Sequence, residues 1–212
     1  MNLKYIRFFS FFFIFVLFLY LVYFQSLLSI LWFCKISLII LLIALIVDSD
    51  YLYSTVLVSQ SIVAIIFIVD VFSLVFFNYS IIHISQLYDS IGEWGVSIFY
   101  HLVITGVPLF ILFKKKVFAK EAWLLSTILF FFFSFVIYFG YYAGYISYGN
   151  YSINCAGYCS DLGVLTTVTN FLYSLTPIPN FLINTILVGI IFYLLTLFYY
   201  WLLVKEKRKI KK

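Results

Sequence analysis

WGVSIFYHLVITGVPLFILFKKK, residues 94–116, is the stretch that decides the fold. In its first twenty residues the only side chain that titrates near neutral pH is His101, and the three lysines at 114–116 end the apolar run. A helix of twenty residues is ~30 Å long at ~1.5 Å per residue, which matches the hydrocarbon core of a bilayer. The stretch therefore predicts a transmembrane helix that carries a histidine inside the membrane.

The composition of the whole chain agrees with this interpretation. Of the 212 residues, 66% are apolar, 24% are aromatic and 10% are charged, and the mean hydropathy is +1.15. The net charge of +5 does not indicate nucleic-acid binding, because the lysines and arginines lie at the ends of apolar runs and form no continuous basic face. These values predict an integral membrane protein surrounded by membrane lipids.

Six apolar runs predict an all-α, polytopic transmembrane helical bundle in a single domain, residues 1–212. The predicted spans are residues 8–24, 27–47, 52–77, 94–113, 122–142 and 181–204. No small-x-small cleavage site follows the first run, so we interpret it as a retained span. Lys35 interrupts the second run and makes it the weakest of the six, although a lysine there can extend its stem to the nearer headgroups.

The positions of the basic residues predict the orientation of the bundle. With six spans, twelve of the thirteen Lys and Arg residues fall on one side, and the positive-inside rule makes that side cytoplasmic. Both termini are then cytoplasmic, and the linkers 78–93 and 143–180 face outward from the cell membrane. The outward linkers carry acidic residues, cysteines and tyrosines, so any chemistry is expected in the outer half.

His101 and Asp70 are the candidate catalytic residues. Each lies about seven residues, ~10 Å, inside the outer end of its predicted span, so the two side chains could lie at one level. A carboxylate that faces an imidazole in low dielectric fixes its tautomer and raises its basicity, as a general base requires, and it also satisfies two buried polar groups. Both a structural and a catalytic pair therefore stay open.

Several other residues are secondary candidates for the same site. Thr105 lies one turn from His101 and is expected to bond to the carbonyl four residues earlier more often than to act as a nucleophile. Pro108 removes a backbone hydrogen bond and predicts a kink, which either opens a pocket at Thr105 and Gly106 or improves packing. Asp89 and Glu93, in the outward linker, are the alternative partners of His101.

The cysteines and histidines are the residues that could hold a metal ion, and they are few. Cys155 and Cys159 lie in the outward loop with three residues between them, a spacing that allows a small disulfide or two plain thiols. Zinc needs four ligands, and His83 and His101 would have to converge on these cysteines from elsewhere. We therefore predict no metal and no cofactor.

Five short motifs follow one another between residues 48 and 204. They are DSDYLYS at 48–54, IVD ending at Asp70, LYD ending at Asp89, SIFYH at 97–101 followed by Pro108, and SIN at 152–154. In this order they resemble a family of uncharacterised bacterial polytopic membrane proteins, and the resemblance implies the same topology and draws attention to Asp70, Asp89 and His101. A fainter likeness, to the androgen-induced type of multispan lipid hydrolases, rests on a histidine before a proline-containing apolar run. It implies a threonine nucleophile, for which Thr55 and Thr105 are alternatives.

Two hypotheses of function follow. The first is a bundle without enzymatic activity, an accessory or small-molecule-transporting protein in which Asp70 and His101 hold spans together or pass a proton. The second is an intramembrane hydrolase or transferase that acts on a lipid or lipid-linked substrate at the outer leaflet, with His101 as base and Asp70 as its orienting group. The polar residues gather on one side, which favours chemistry at one interface, yet the sequence has no clear nucleophile. The first hypothesis therefore leads.

Overall fold

The structure, a computed structural model, describes residues 2–24, 33–77, 91–143 and 180–204. The described part of the chain is helical and contains no strand. Its six helices are α1 (Leu3–Phe24), α2 (Phe33–Val47), α3 (Asp50–Phe77), α4 (Ile91–Lys115), α5 (Ala122–Tyr142) and α6 (Asn180–Val204). The prediction of an all-α bundle is confirmed.

Four of these helices contain stretches that are long and apolar enough to cross a membrane. The stretches are Leu3–Tyr20, Ile98–Lys115, Ala122–Gly140 and Leu182–Val204, and Lys35–Val47 is a shorter apolar helix. Large apolar side chains cover their outer faces; Phe9, Phe132 and Trp201, for example, are each more than half exposed. Since soluble proteins rarely expose apolar surface on this scale, these faces are suited to lipid tails. The chain is thus a helical bundle with the surface of a membrane protein.

The hairpin formed by α2 and α3 turns within two residues. The chain enters the left-handed region at Asp48 (φ 55°), and the amide of Ser49 donates to the carbonyl of Ala44 (3.4 Å), which ends α2. The Ser49 hydroxyl then accepts from the amide of Leu52 (3.4 Å) and caps the start of α3. Aspartate tolerates this backbone conformation better than most residues. The turn brings the acidic pair of residues 48 and 50 to one end of the bundle.

Helix α4 ends in the same way and begins the next turn. Lys116 adopts φ 54°, and the amide of Val117 donates to the carbonyl of Leu112 (3.3 Å). Pro108 lies buried within α4, which continues through it. Gly106 is exposed, with open space around the position of an added Cβ atom, and a pocket at Thr105 and Gly106 stays a prediction.

Helix α3 is the centre of the bundle, in contact with α2, α4, α5 and α6. The nine consecutive residues 53–61 are all buried, so this part of α3 is enclosed on every side. The enclosed segment is YSTVLVSQS, in which small residues allow neighbouring backbones to approach closely. The most enclosed part of the molecule is therefore also rich in hydroxyl and amide groups.

The position of Lys35 differs from the expectation that its side chain extends to the headgroups. Its side chain is 5% exposed and has an interaction inside the structure, so it does not lie along the outer surface toward headgroups. The physical reason is its position on α2, where residues 35–38 are all buried. The lysine is part of the interior rather than an interruption of a lipid-facing helix.

Candidate functional site

A set of hydrogen-bonded polar side chains lies inside the bundle and forms the candidate site. We call it the polar seam; its members are Ser37 on α2, Ser59, Gln60 and Ser61 on α3, and Tyr199 on α6. The four smaller residues are at most 2% exposed and Tyr199 is 9% exposed. Polar groups cost free energy in an apolar interior unless they are hydrogen bonded. The seam is therefore a cluster whose internal bonds must offset that cost.

Gln60 is the central residue of the seam. It lies ten residues after the start of α3, ~15 Å along the helix. Its Nε2 donates to the Ser37 hydroxyl (2.7 Å), which lies 3.3 Å from the Ser59 hydroxyl. Its Oε1 is buried and accepts no hydrogen bond within the described part of the chain. An acceptor left unsatisfied in this way costs about 1–3 kcal/mol.

The seam continues from α3 to α6. The Ser61 hydroxyl lies 2.7 Å from the Tyr199 hydroxyl, and it also donates to the carbonyl of Leu57 (2.5 Å). On another side of α3, the Ser126 hydroxyl of α5 donates to the carbonyl of Thr55 (3.1 Å). These bonds hold α2, α5 and α6 against the enclosed segment of α3.

His101 lies on the inner face of α4. It is 4% exposed and shares a buried stripe with Ile104, Pro108 and Ile111, at the spacing of one helix face. The ring of Tyr100 packs edge-on against it, with centroids 4.6 Å apart. The histidine therefore faces the bundle rather than lipid, as a functional or cross-linking group would.

The predicted pair of His101 and Asp70 stays a prediction, because the side chain of Asp70 lies outside what the structure describes. The register of the helices bears on it. Lys115 at the end of α4 contacts Asp50 at the start of α3, and the two helices pack along each other. Counted from that contact, His101 is fourteen residues along α4 and Asp70 twenty along α3, an offset of ~9 Å. A direct bond between the two would have to bridge that distance.

Thr105 departs from the expectation for its hydroxyl. Its Oγ1 is buried and makes no hydrogen bond within the described residues, so the expected bond to the carbonyl four residues earlier is not formed. Thr105 is ten residues before Lys115, and Gln60 is ten after Asp50, so the two lie at one level of the bundle. Thr55, the other threonine considered as a nucleophile, is fully buried and donates to the carbonyl of Tyr51 (2.9 Å). Its hydroxyl is therefore engaged.

Besides Asp70, four further candidates from the sequence lie where no side-chain position is described. Asp89, Cys155 and Cys159 lie in linkers outside the described residues, and Glu93 is described only as part of α4. Among the residues that the structure does describe, no group of three His, Cys, Asp or Glu side chains could hold a metal ion.

Charged side chains form a second cluster at the end of the bundle where α1 begins and α4 ends. We call it the ionic clamp; it consists of Arg7, Asp48, Asp50 and Lys115. Arg7 contacts Asp48 at 2.8 Å, and Lys115 contacts Asp48 and Asp50 at 2.7 Å each. Arg7 also donates to the carbonyls of Leu45 (2.8 Å) and Ile46 (3.3 Å) at the end of α2. The clamp thus joins α1, the turn between α2 and α3, and α4.

A further acidic residue lies close to this end of the bundle. Burial raises the pKa of the Tyr51 hydroxyl, and the negative charge of Glu121 raises it further. The hydroxyl of Tyr51 is therefore neutral at pH 7, and the charge at this end is carried by the clamp, Glu121 and the lysines of the following turn.

The sequence reasoning did not identify the seam or the clamp. A signal for the seam was present: four hydroxyls and one amide within STVLVSQS, residues 54–61, in a run long enough to span. The signal for the clamp was the acidic DSD sequence at residues 48–50, which lies between two predicted spans.

Comparison with known protein families, characterised proteins and solved structures finds no match to this chain.

Proposed function

We propose that the chain is a six-span protein of the cell membrane, with both termini in the cytoplasm, and that its polar seam lets a small polar solute cross the bilayer. Helices α2 and α3 supply the two spans beyond the four long apolar stretches. Helix α3 has 28 residues, ~42 Å, which is ample for a crossing. Helix α2 is described over 15 residues, and its apolar sequence extends back to residue 27.

Cysteine labelling tests the proposed topology. In a protein whose three cysteines are replaced by serine, Asn150→Cys should react with an impermeant maleimide from outside the cell. Val117→Cys should react only after permeabilisation, because its turn is on the cytoplasmic side. The opposite pattern at these two positions would reject the topology. If the second run fails to span, only the amino terminus changes sides, and Asn2→Cys then reacts from outside.

The observation that carries the transport proposal is the unsatisfied acceptor of Gln60. The Oε1 atom lies near the bilayer centre, enclosed by protein, with the hydroxyls of Ser37 and Ser59 beside the same side chain. Sites of membrane transporters commonly lie near this depth. A solute that donates a hydrogen bond would recover the cost of the buried acceptor. The lining is polar, which favours a polar solute over a hydrophobic one.

Swelling of proteoliposomes tests this function. The purified protein should accelerate uptake of at least one of three hydrogen-bonding probes (urea, glycerol or glycine) above empty liposomes. Gln60→Leu should lower that rate about tenfold or more, since losing one good hydrogen bond in a desolvated site costs about 1.5 kcal/mol. Ser134→Ala is the matched control, because Ser134 is a buried hydroxyl on α5 outside the seam. Equal rates in wild type, Gln60→Leu and empty liposomes would contradict the proposal.

The enzyme hypothesis keeps one specific observation in its favour. Thr105 presents a buried hydroxyl that makes no hydrogen bond within the described residues, one turn from buried His101. In this alternative His101 acts as base, Asp70 orients it, and a lipid at the outer leaflet is the substrate. The same proteoliposomes separate the two functions when they contain a fluorogenic phospholipid. Ester cleavage that Thr105→Val abolishes would support the enzyme, while solute uptake without cleavage supports the transporter.

A further inference from the structure

The ionic clamp lies directly below the polar seam along α3. Asp50 begins the helix, Ser59 is nine residues farther, ~14 Å, and Tyr53 lies between them. Tyr53 is fully buried, and its ring centre is 5.6 Å from the Lys115 ammonium. Its hydroxyl is buried and lies close to Arg7 of the clamp. Along α3, the clamp and Tyr53 therefore lie between this end of the bundle and the seam.

The ion pairs of the clamp are weak enough to form and break repeatedly. Its side chains are 18% to 42% exposed, so water reaches them. Ion pairs that water reaches contribute less to stability than their short distances suggest. Three such bridges together hold α1 and α4 to the turn between α2 and α3, yet separating them costs far less than breaking the buried core. A contact that stays closed would be more stable if it were formed by apolar packing.

A second contact at the same level joins the turn after α4 to α3. The Ser54 hydroxyl donates to the carbonyl of Asp50 (2.7 Å) and accepts from the amide of Ala119 (3.0 Å), in the turn after α4. Beside these polar contacts, the buried side chains of Ile111 and Leu112 also pack the end of α4 into the core. Lys115 is therefore the charged part of a contact that also includes apolar packing and one hydrogen bond.

We propose that the ionic clamp is the cytoplasmic gate of the polar seam. With the three bridges formed, Lys115 holds the end of α4 over Tyr53 and closes the seam to water. When Lys115 separates from Asp48 and Asp50, the end of α4 moves away and the seam opens to the cytoplasm. This inference rests on the proposed function, because it assigns the seam a side from which a solute enters.

Accessibility of a cysteine in the seam tests the gate. Ser59→Cys is the reporter, in a chain whose native cysteines are serine, and inside-out membrane vesicles are treated with an impermeant methanethiosulfonate. Lys115→Met keeps an unbranched stem but removes all bridges to Lys115, and it should raise the modification rate at least tenfold. Lys114→Met is the matched control: Lys114 is the exposed neighbour, which forms no ion pair in the described part of the chain. It should leave the rate unchanged.

Each outcome decides the proposal. An unchanged rate in Lys115→Met, with the elution profile and melting temperature of the parent protein, would overturn the gate. If Lys115→Met does not fold, Arg7→Met, which removes only the bridge from α1, is held to the same criterion with a rate at least threefold above the parent. A raised rate in a protein that transports none of the probes would keep the gate and reject the transport function. Lost uptake in Gln60→Leu with no effect of Lys115→Met would do the reverse.

Discussion

Phe192→Ala is expected to lower the free energy of unfolding by about 3 kcal/mol. Phe192 is 1% exposed, belongs to the main apolar core, and packs edge-on against Phe130 with centroids 6.5 Å apart. Truncation leaves a cavity that the enclosed helices cannot fill. In a membrane the helices associate through van der Waals packing rather than through exclusion of water, so the lost contacts dominate the effect.

The matched control for this substitution is on the same helix. Phe198 is 51% exposed on α6. In the Phe198→Ala variant this position still contacts lipid, through a smaller side chain. The free energy of unfolding should therefore change by less than about 1 kcal/mol. Reversible unfolding by sodium dodecyl sulfate in bicelles, followed by tryptophan fluorescence, measures both variants. Equal losses at the two positions would mean that the structure assigns the inner face of α6 incorrectly.

Gly189→Leu is expected to be nearly as damaging, through overpacking. A Cβ atom at position 189 would lie 3.0 Å from Cγ2 and 3.3 Å from Oγ1 of Thr127, across the contact between α5 and α6. Thr127 cannot easily rotate away, because its hydroxyl donates to the carbonyl of Trp123 (2.8 Å) and a β-branched side chain has few rotamers in a helix. The two helices must separate, at a cost of about 2–3 kcal/mol.

Two comparisons isolate that contact. Gly106 on α4 has open space around it, so Gly106→Leu should cause no loss and should gain up to about 1 kcal/mol from helix propensity. Gly189→Ala should be destabilising alone and tolerated together with Thr127→Ala, which removes both close atoms. The same detergent titration measures all four proteins. A Gly189→Leu variant as stable as the parent would show that α5 and α6 do not approach at this point.

Much of the helical architecture follows from the sequence, for a simple physical reason. A run such as Ala122–Tyr142 is apolar over the full thickness of a bilayer, and backbone groups in lipid must bond within their own segment. The predicted bounds of that span and the observed helix coincide, and the last predicted span differs from α6 by one residue. Charges such as Lys114 and Lys115 then mark where apolar surroundings end.

The interior could not be predicted in the same way. Which face of α3 is buried depends on how many helices surround it, and local periodicity fails when all faces are enclosed, as at residues 53–61. Gln60 finds Ser37 on another helix, a contact that no spacing along the chain reveals. Lys35 was expected at headgroups because its stem is long, and it lies inside because its helix is buried there. The inward position of His101, by contrast, is consistent with the cost of placing an imidazole against lipid.

The ionic clamp also orders the steps by which the protein is made. Its members lie far apart in the chain: Asp48 follows Arg7 by 41 residues, and Lys115 follows Arg7 by 108. At ~5–20 residues per second, a ribosome needs ~5–20 s to travel from Arg7 to Lys115. During that interval Lys115 has not been made, and Arg7 is the cation of the clamp that is available to Asp48 and Asp50. The hairpin of α2 and α3 can therefore join α1 before α4 is complete. The arrival of Lys115 then completes the clamp, so α1 to α4 can be joined at this end before α5 and α6 are made.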